Sequence, residues 1–462
     1  MVGSRGKPLN MQRSNCAHIT ERLACRVKGL TALFCILLLT ILIRRRIFAT
    51  FGGRGLADGL ENGRRMASSS DPGAAARQKA ETRLVTAGRD TKAQHGFVNP
   101  PIVRGSTVLY PTAEDLHAHR GEFQYGRHGT PTTKALREAL MALEGPQCAG
   151  VGLAPSGLAA ISTTLLAVLK AGDHLLVCDN VYRPSRNFCE GLLARFGVET
   201  SYFDPLIGTG IGQLLKPNTR AVLVEAPGSQ SFEMPDIPAI AAVAHAHGAI
   251  VIDDNTWATP LYHRSLELGV DISMQAGTKY IGGHSDIMFG TISANAKAWP
   301  LVSEAIRLLG VCAGPDDVFL ALRGLRTLSV RLAQHYRSGL EMAHWLAGRP
   351  EVSRVLHPAL EADPGHAIWK RDFTGASGLF SIVLQPKPQK AVDALLDNLT
   401  LFGMGYSWGG FESLAIPFDC NEYRTATSWS PGGPTLRIHI GLENVEDLKA
   451  DLARGFAAFN AA

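Results

Sequence analysis

Residues 237–255 read IPAIAAVAHAHGAIVIDDN. An alanine-rich helical stretch (237–248) runs straight into a short apolar strand, AIVIDD (249–254), that ends in two acids and an asparagine. Moving outward, the same alternation fills residues 145–295. Strands are expected at DHLLVCD (173–179), ETSYFD (199–204), RAVLVEA (220–226) and SDIMFGTISA (285–294). Helices are expected at LAAISTTLLAVLKAG (158–172) and IGQLLK (211–216). Strands alternating with helices predict an α/β fold with a mostly parallel sheet covered on both faces.

From about residue 326 the texture changes. SVRLAQHYRSGLEMAHWLAGR reads as one long helix. GLFSIVLQ, AVDALLDNL, PTLRIHIGL and VEDLKADLARGFAAF then follow in strand–helix–strand–helix order, which predicts a smaller α+β domain. No internal repeat is present, and low complexity is confined to residues 67–80.

The chain has 462 residues, 45% hydrophobic and 19% charged, enough to bury a large core in two or three domains. Its net charge of +5 is a local effect. Residues 1–65 hold twelve Lys/Arg against three Asp/Glu, whereas the remainder holds 34 basic and 38 acidic residues. A nucleic-acid partner is therefore not expected. The front also contains Leu30–Ile43, fourteen uncharged residues followed by Arg44, Arg45 and Arg46. That is short for a spanning helix and has the wrong flank for a cleaved signal. Residues 1–65 read as a targeting extension or a misassigned start, Met66 as an ordinary polar beginning, and the body as cytoplasmic. A short membrane anchor is the alternative.

None of the eight cysteines forms a CxxC pair, so those in the body read as reduced core residues. The fifteen histidines show no HExxH, and His245 and His247 read as structural or surface residues. No metal site is expected.

Three features carry chemistry. Asp254 closes a strand, and the carboxyl ends of strands are where ligands bind in such sheets. Ser156 and Gly157 precede a helix, where free N–H groups can hold a phosphate. Lys279, in QAGTKYIGGHSD (275–286), sits among small residues just before a strand. Such a lysine has a lowered pKa and can condense with an aldehyde. Each feature is weak singly. In this order they fit pyridoxal phosphate (PLP), which needs a Schiff-base lysine, an acid for its ring nitrogen and a phosphate cradle.

Residues 85–458 resemble the PLP enzymes of cysteine and methionine metabolism, the trans-sulfuration family. The resemblance implies the fold type I PLP-dependent transferase architecture. An N-terminal arm (66–129) would contact a neighbouring subunit, ahead of a PLP domain (130–325) and a C-terminal domain (326–462). QAGTKYIGGHSDIMFG resembles the family's lysine segment, making Lys279 the Schiff-base residue and Thr278 a phosphate ligand. DNTWATP resembles the segment whose aspartate, here Asp254, meets the ring nitrogen. DNVYRPSRNF supplies Tyr182 to stack on the ring, and PSGLAA supplies Gly157 and Leu158 to the phosphate. YGRHGTPTT resembles the segment whose Tyr125 and Arg127 reach the neighbour's phosphate. LRIHIGLE supplies Arg437 for the substrate carboxylate, a task suited to its bidentate fork. Ser407 and Trp408 would narrow the pocket and orient the amino acid. The catalytic roles fall to Lys279, Tyr125 and Tyr182. Taken singly, Tyr125 reads as a packing residue, Arg127 as a surface charge and Arg437 as a strand-edge ion pair.

Trp257, Gly126, Gly129 and Trp408 resemble the beta-lyase branch more than the gamma-lyases and gamma-synthases. The resemblance thus implies beta-elimination of L-cystathionine, a step of methionine biosynthesis, by a homotetramer built as a dimer of dimers. Gamma-lyase, gamma-synthase and cysteine desulfhydrase chemistry are the alternatives, with a PLP-binding regulatory protein further off. His128 departs from the pattern where a second arginine is usual, and Ser229 where an asparagine is frequent.

Overall fold

The computed structural model describes residues 78–462. The readings of residues 1–65, including Leu30–Ile43, fall outside them. Among the described residues no helix is long and apolar enough to cross a membrane.

Eleven strands form two sheets among the described residues. The larger sheet holds β1 (Gly150–Ala154), β2 (His174–Cys178), β3 (Glu199–Phe203), β4 (Thr219–Glu225), β5 (Ile250–Asp254), β6 (Ile272–Gln275) and β7 (Gly290–Ala294). Their order is β1-β7-β6-β5-β4-β2-β3. The ladders from β3 through β2, β4 and β5 to β6 are parallel, and β7 runs antiparallel to both β6 and β1. β1, β2, β6 and β7 are buried throughout, as expected for strands covered on both faces.

Helix Gly157–Val168 packs against β7 and β6, and helix Ile237–Ala246 against β5. Ser156 caps the first of these by accepting from Ala159 N–H at 3.1 Å. Asp236 does the same for the second through Ala239 N–H. An N-terminal Ser or Asp satisfies amides that lie too early in the helix for an internal partner.

The second sheet is antiparallel, in the order β10 (Leu414–Phe418), β11 (Thr435–His439), β9 (Leu379–Leu384) and β8 (Val352–Leu356). Helices Gln389–Asp397 and Val445–Ala461 pack on each other beside it. The long helix Leu328–Ala347 serves both layers. Its Leu328 and Leu332 join the core of the large sheet, while Met342, Ala343 and Leu346 join the core of the small one.

Three local readings change. Of the helix expected at 211–216, residues 211–214 belong to a 3₁₀ segment, Gly208–Leu214, and Leu215 is already extended. The ladder of β7 begins only at Gly290, so residues 285–289 are not part of it. Strands β1, β6, β8 and β10 were not expected.

Candidate active site

The carboxyl ends of β4 and β5 bring two acids side by side, Glu225 and Asp254 being register partners. Asp254 Oδ1 accepts from Thr256 N–H at 3.1 Å and from the Thr256 hydroxyl. Its Oδ2 has no donor among the described residues. Burial pushes Asp254 up to about 6, against the pull of Thr256 and of the Lys279 ammonium. Glu225 was not singled out from the sequence, where it looks like the polar end of an apolar run. Its Oε2 accepts the backbone N–H of Tyr182 at 2.7 Å, fixing the turn that presents the tyrosine ring. Burial and the Asp254 charge raise Glu225 well above the usual carboxylate range.

Lys279 lies in the connection between β6 and β7. Thr278 ties that connection down, donating its hydroxyl to Phe289 O and accepting from Phe289 N–H at 2.9 Å. The Lys279 ammonium donates to Ser407 Oγ at 2.7 Å and lies 5.3 Å from the centre of the Trp408 ring. Burial, helped by the Arg437 charge, pulls Lys279 down to about 8.

Ser407 has φ of 99°, a left-handed conformation that a non-glycine residue adopts only under constraint. The constraint is visible. Its side chain meets Lys279 from the large sheet, and its carbonyl accepts from Arg437 Nη2 of β11 at 3.0 Å. The Arg437 guanidinium is pulled down to about 10 by burial, with only the Tyr182 and Tyr406 phenols opposing. No carboxylate pairs with it among the described residues, so its charge is available to a ligand. Tyr182 belongs to the same neighbourhood. Burial, Glu225 and Asp254 raise its phenol, and Arg437 opposes them.

Opposite these groups, helix Gly157–Val168 opens with two amides, of Gly157 and Leu158, that meet no acceptor among the described residues. A Cβ at position 157 would stand 2.5 Å from the Ala276 Cβ, so only glycine lets the helix start approach the lysine segment.

The structure therefore brings together Lys279, Thr278, Asp254, Tyr182, Gly157, Leu158, Ser407, Trp408 and Arg437. Tyr125 and Arg127 make other contacts. Tyr125 bridges to Thr107 and stacks edge-on with His128, while Arg127 donates to the carbonyl of Arg307 at 2.9 Å. Neither is hydrogen-bonded to the Lys279 group within the chain. Trp257 is buried and donates its indole N–H to Leu379 O, linking the end of β5 to β9. Among the described residues no group of His, Cys, Asp and Glu is arranged to hold a metal ion.

These residues fit PLP on their own terms. Two unpaired amides at a helix start suit a phosphate. An ionised carboxylate oxygen lacking a donor suits a ring N–H. A lysine near pH 8 suits an aldehyde. A lysine after β6, an acid ending β5 and a helix start after β1, on a mostly parallel sheet beside a small antiparallel one, define a fold type I PLP-dependent enzyme.

The chain belongs to the Cys/Met metabolism PLP-dependent enzyme family, which it matches over residues 81–457. It is 49% identical over 391 residues to the cystathionine beta-lyase of Salmonella typhimurium, an alignment covering 82% of this chain and 98% of that one. With the Escherichia coli cystathionine beta-lyase the identity is 46%, with the same coverage. Among solved structures, cystathionine gamma synthase of Xanthomonas oryzae in complex with cystathionine superposes with a TM-score of 0.77 at 32% identity, covering 83% of this chain and 99% of that one.

Proposed function

We propose that this protein cleaves L-cystathionine by beta-elimination, giving homocysteine, pyruvate and ammonia. The observation that carries the reading is the double role of Ser407. Its hydroxyl holds Lys279 Nζ and its carbonyl holds Arg437 Nη2, so proton carrier and carboxylate clamp flank a single residue. The two beta-lyases at 46% and 49% identity support beta rather than gamma chemistry.

PLP held at Lys279 supplies the electron sink that makes the substrate's α C–H acidic. Asp254 Oδ2 would accept the ring N–H, Gly157 and Leu158 amides with Thr278 would bind the phosphate, and the Tyr182 ring would cover one face. Arg437 binds the α-carboxylate and sets which face of the substrate meets Lys279. Lys279 Nζ, poised near pH 8, takes the α proton. It, or Tyr125 of a second copy, delivers a proton to the departing sulfur. Trp408 walls the sulfur side and excludes water. In this reading the enzyme is cytoplasmic and a dimer of dimers, and the arm carries Tyr125 and Arg127 to the neighbouring copy's phosphate. Within their own chain these two residues meet Thr107, His128 and Arg307 instead of the Lys279 group, which supports that arrangement.

The test is the keto acid released from L-cystathionine by the PLP-loaded protein. Pyruvate with homocysteine is expected. 2-Oxobutyrate with cysteine would move the protein to gamma chemistry, and no keto acid would overturn the substrate assignment.

A further inference from the structure

Three segments of the site meet on two consecutive residues of the small sheet, Gly378 and Leu379, where β9 begins. Trp257, three residues beyond Asp254, donates its indole N–H to Leu379 O at 2.8 Å. Tyr280, the neighbour of Lys279, accepts the Gly378 N–H on its hydroxyl oxygen at 3.1 Å. Ile440, three residues beyond Arg437, donates its backbone N–H to Gly378 O at 2.8 Å. The ring acid, the lysine and the carboxylate clamp each stand one to three residues from a hydrogen bond to the same stretch of backbone.

That stretch is built to hold a distance. Trp257 and Tyr280 are both buried, and the Trp257 ring meets Phe373 and His357 edge-on, with centroids 6.1 and 6.3 Å away. Gly378 is enclosed. A Cβ on it would stand 2.5 Å from Ile440 O, and a Cβ on Gly339 of helix Leu328–Ala347 would stand 3.0 Å from Gly378 Cα. Close packing of this kind leaves the backbone no room to slide. The ladder of β8 on β9 stops at Ser381, two residues short of Leu379, which leaves the Leu379 carbonyl to Trp257. On the other edge of β9, Ser381 is the register partner of Arg437. The strand that carries the clamp therefore takes its position from the same few residues.

We propose that Trp257 and Tyr280 are positioning residues that set the distance between the cofactor residues of the large sheet and Arg437 of the small one. Lys279, Asp254, Gly157 and Leu158 all belong to the large sheet, its connections and its covering helix. Their mutual geometry does not depend on the second sheet. Arg437 arrives on β11, so its place relative to Lys279 depends on how the two sheets dock. The two side-chain hydrogen bonds fix that docking at points beside the lysine and the ring acid. Tyr280 has a second output, since its ring lies 5.5 Å from that of Trp408 and backs the pocket wall. The inference rests on the reading that Arg437 binds the substrate carboxylate.

W257F keeps an aromatic ring and removes the N–H, and Y280F removes only the hydroxyl. Two dissociation constants are read on each variant. That of PLP comes from titration of apoprotein, and that of L-alanine from the visible absorption of PLP-loaded protein. L-Alanine offers Arg437 an α-carboxylate and has no carbon–sulfur bond. Both variants should weaken L-alanine about tenfold, the scale expected when a binding group is displaced by a fraction of an ångström. PLP should stay within about threefold of the parent, since none of its direct contacts is removed. A general loss of packing would lower both affinities together, so equal losses would overturn the proposal, as would unaltered L-alanine binding. Should W257F not fold, Y280F decides alone. Parent protein that binds L-alanine yet leaves L-cystathionine intact would overturn the reaction assignment and leave this test standing.

Discussion

Glu225 and Asp254 are register partners at the mouths of adjacent parallel strands, and the two carboxyl groups share one buried neighbourhood. The Asp254 charge makes Glu225 harder to ionise, and Tyr182 is hung from Glu225. A cofactor cation at Asp254 would relieve this repulsion, so the apoprotein is where it shows.

The first prediction concerns that pair. Glu225 has a raised folded-state pKa, so above the usual carboxylate range the folded protein holds a proton that the unfolded chain has released. Stability from this group is present at low pH and falls as pH rises toward the folded value. E225Q keeps the acceptor for Tyr182 N–H and removes the titration. The apoprotein's urea midpoint should fall less between pH 5 and pH 8 in E225Q than in the parent. Parallel curves would refute the repulsion.

Lys279 gives the opposite sign. Its pKa is lowered to about 8, below the ordinary lysine value of roughly 10.4. Between these values the unfolded chain binds the extra proton, so stability rises with pH across that window. Acylation of the Lys279 amine in the apoprotein, followed by peptide mapping, should show a midpoint near pH 8. A midpoint near that of surface lysines would mean that burial does not tune the amine. K279A should lower turnover by roughly 10⁴-fold or more, at the upper end for loss of an acid–base group.

Arg437 should bind carboxylate through its planar fork. R437K keeps the charge and loses the second donor, so KM should rise about 10- to 100-fold while kcat changes much less. An unchanged KM would place the carboxylate elsewhere.

Gly157 opens the helix start proposed to hold the phosphate. G157A puts a methyl group 2.5 Å from the Ala276 Cβ and must displace either the helix start or the lysine segment. PLP affinity should fall at least about tenfold, the effect of losing or misaligning charge-assisted hydrogen bonds. Titration of apoprotein with PLP measures it. Unaltered affinity would show that the phosphate does not use this helix start.

Most of the large sheet is legible because β2, β4 and β5 are runs of Leu, Val, Ile and Ala that must be buried on both faces. β6 is not, because Ser273 and Gln275 are buried polar residues that break the apolar run. β1 hides for another reason. Gly150 and Gly152 weaken any strand signal, yet a Cβ at either would stand 2.2 Å from Trp299 or Ile306, so the glycines are the sockets for helix Trp299–Leu309. Lys279, Asp254 and Arg437 are legible through motif order. Glu225 is not, since its contacts reach back 43 residues to Tyr182 and forward to Asp254 across two strands, and only the folded chain brings them together.

Between β10 and β11 runs a connection whose Thr425, Ala426 and Thr427 amides all donate to Asp179, the residue just after β2. Arg186 and Arg424 also bind that carboxylate, and Arg183 pairs with Glu422. A sixteen-residue connection would ordinarily be a place where lineages gain and lose residues freely. Here it is committed at two points: its far end leads into the strand bearing Arg437, and its middle is moored at Asp179, three residues from Tyr182. Its length is therefore tied to the geometry of the site. Related chains that differ in length should carry their insertions before Asp419 or on the far side of the small sheet, and a laboratory deletion within 425–427 should loosen ring stacking and carboxylate binding together.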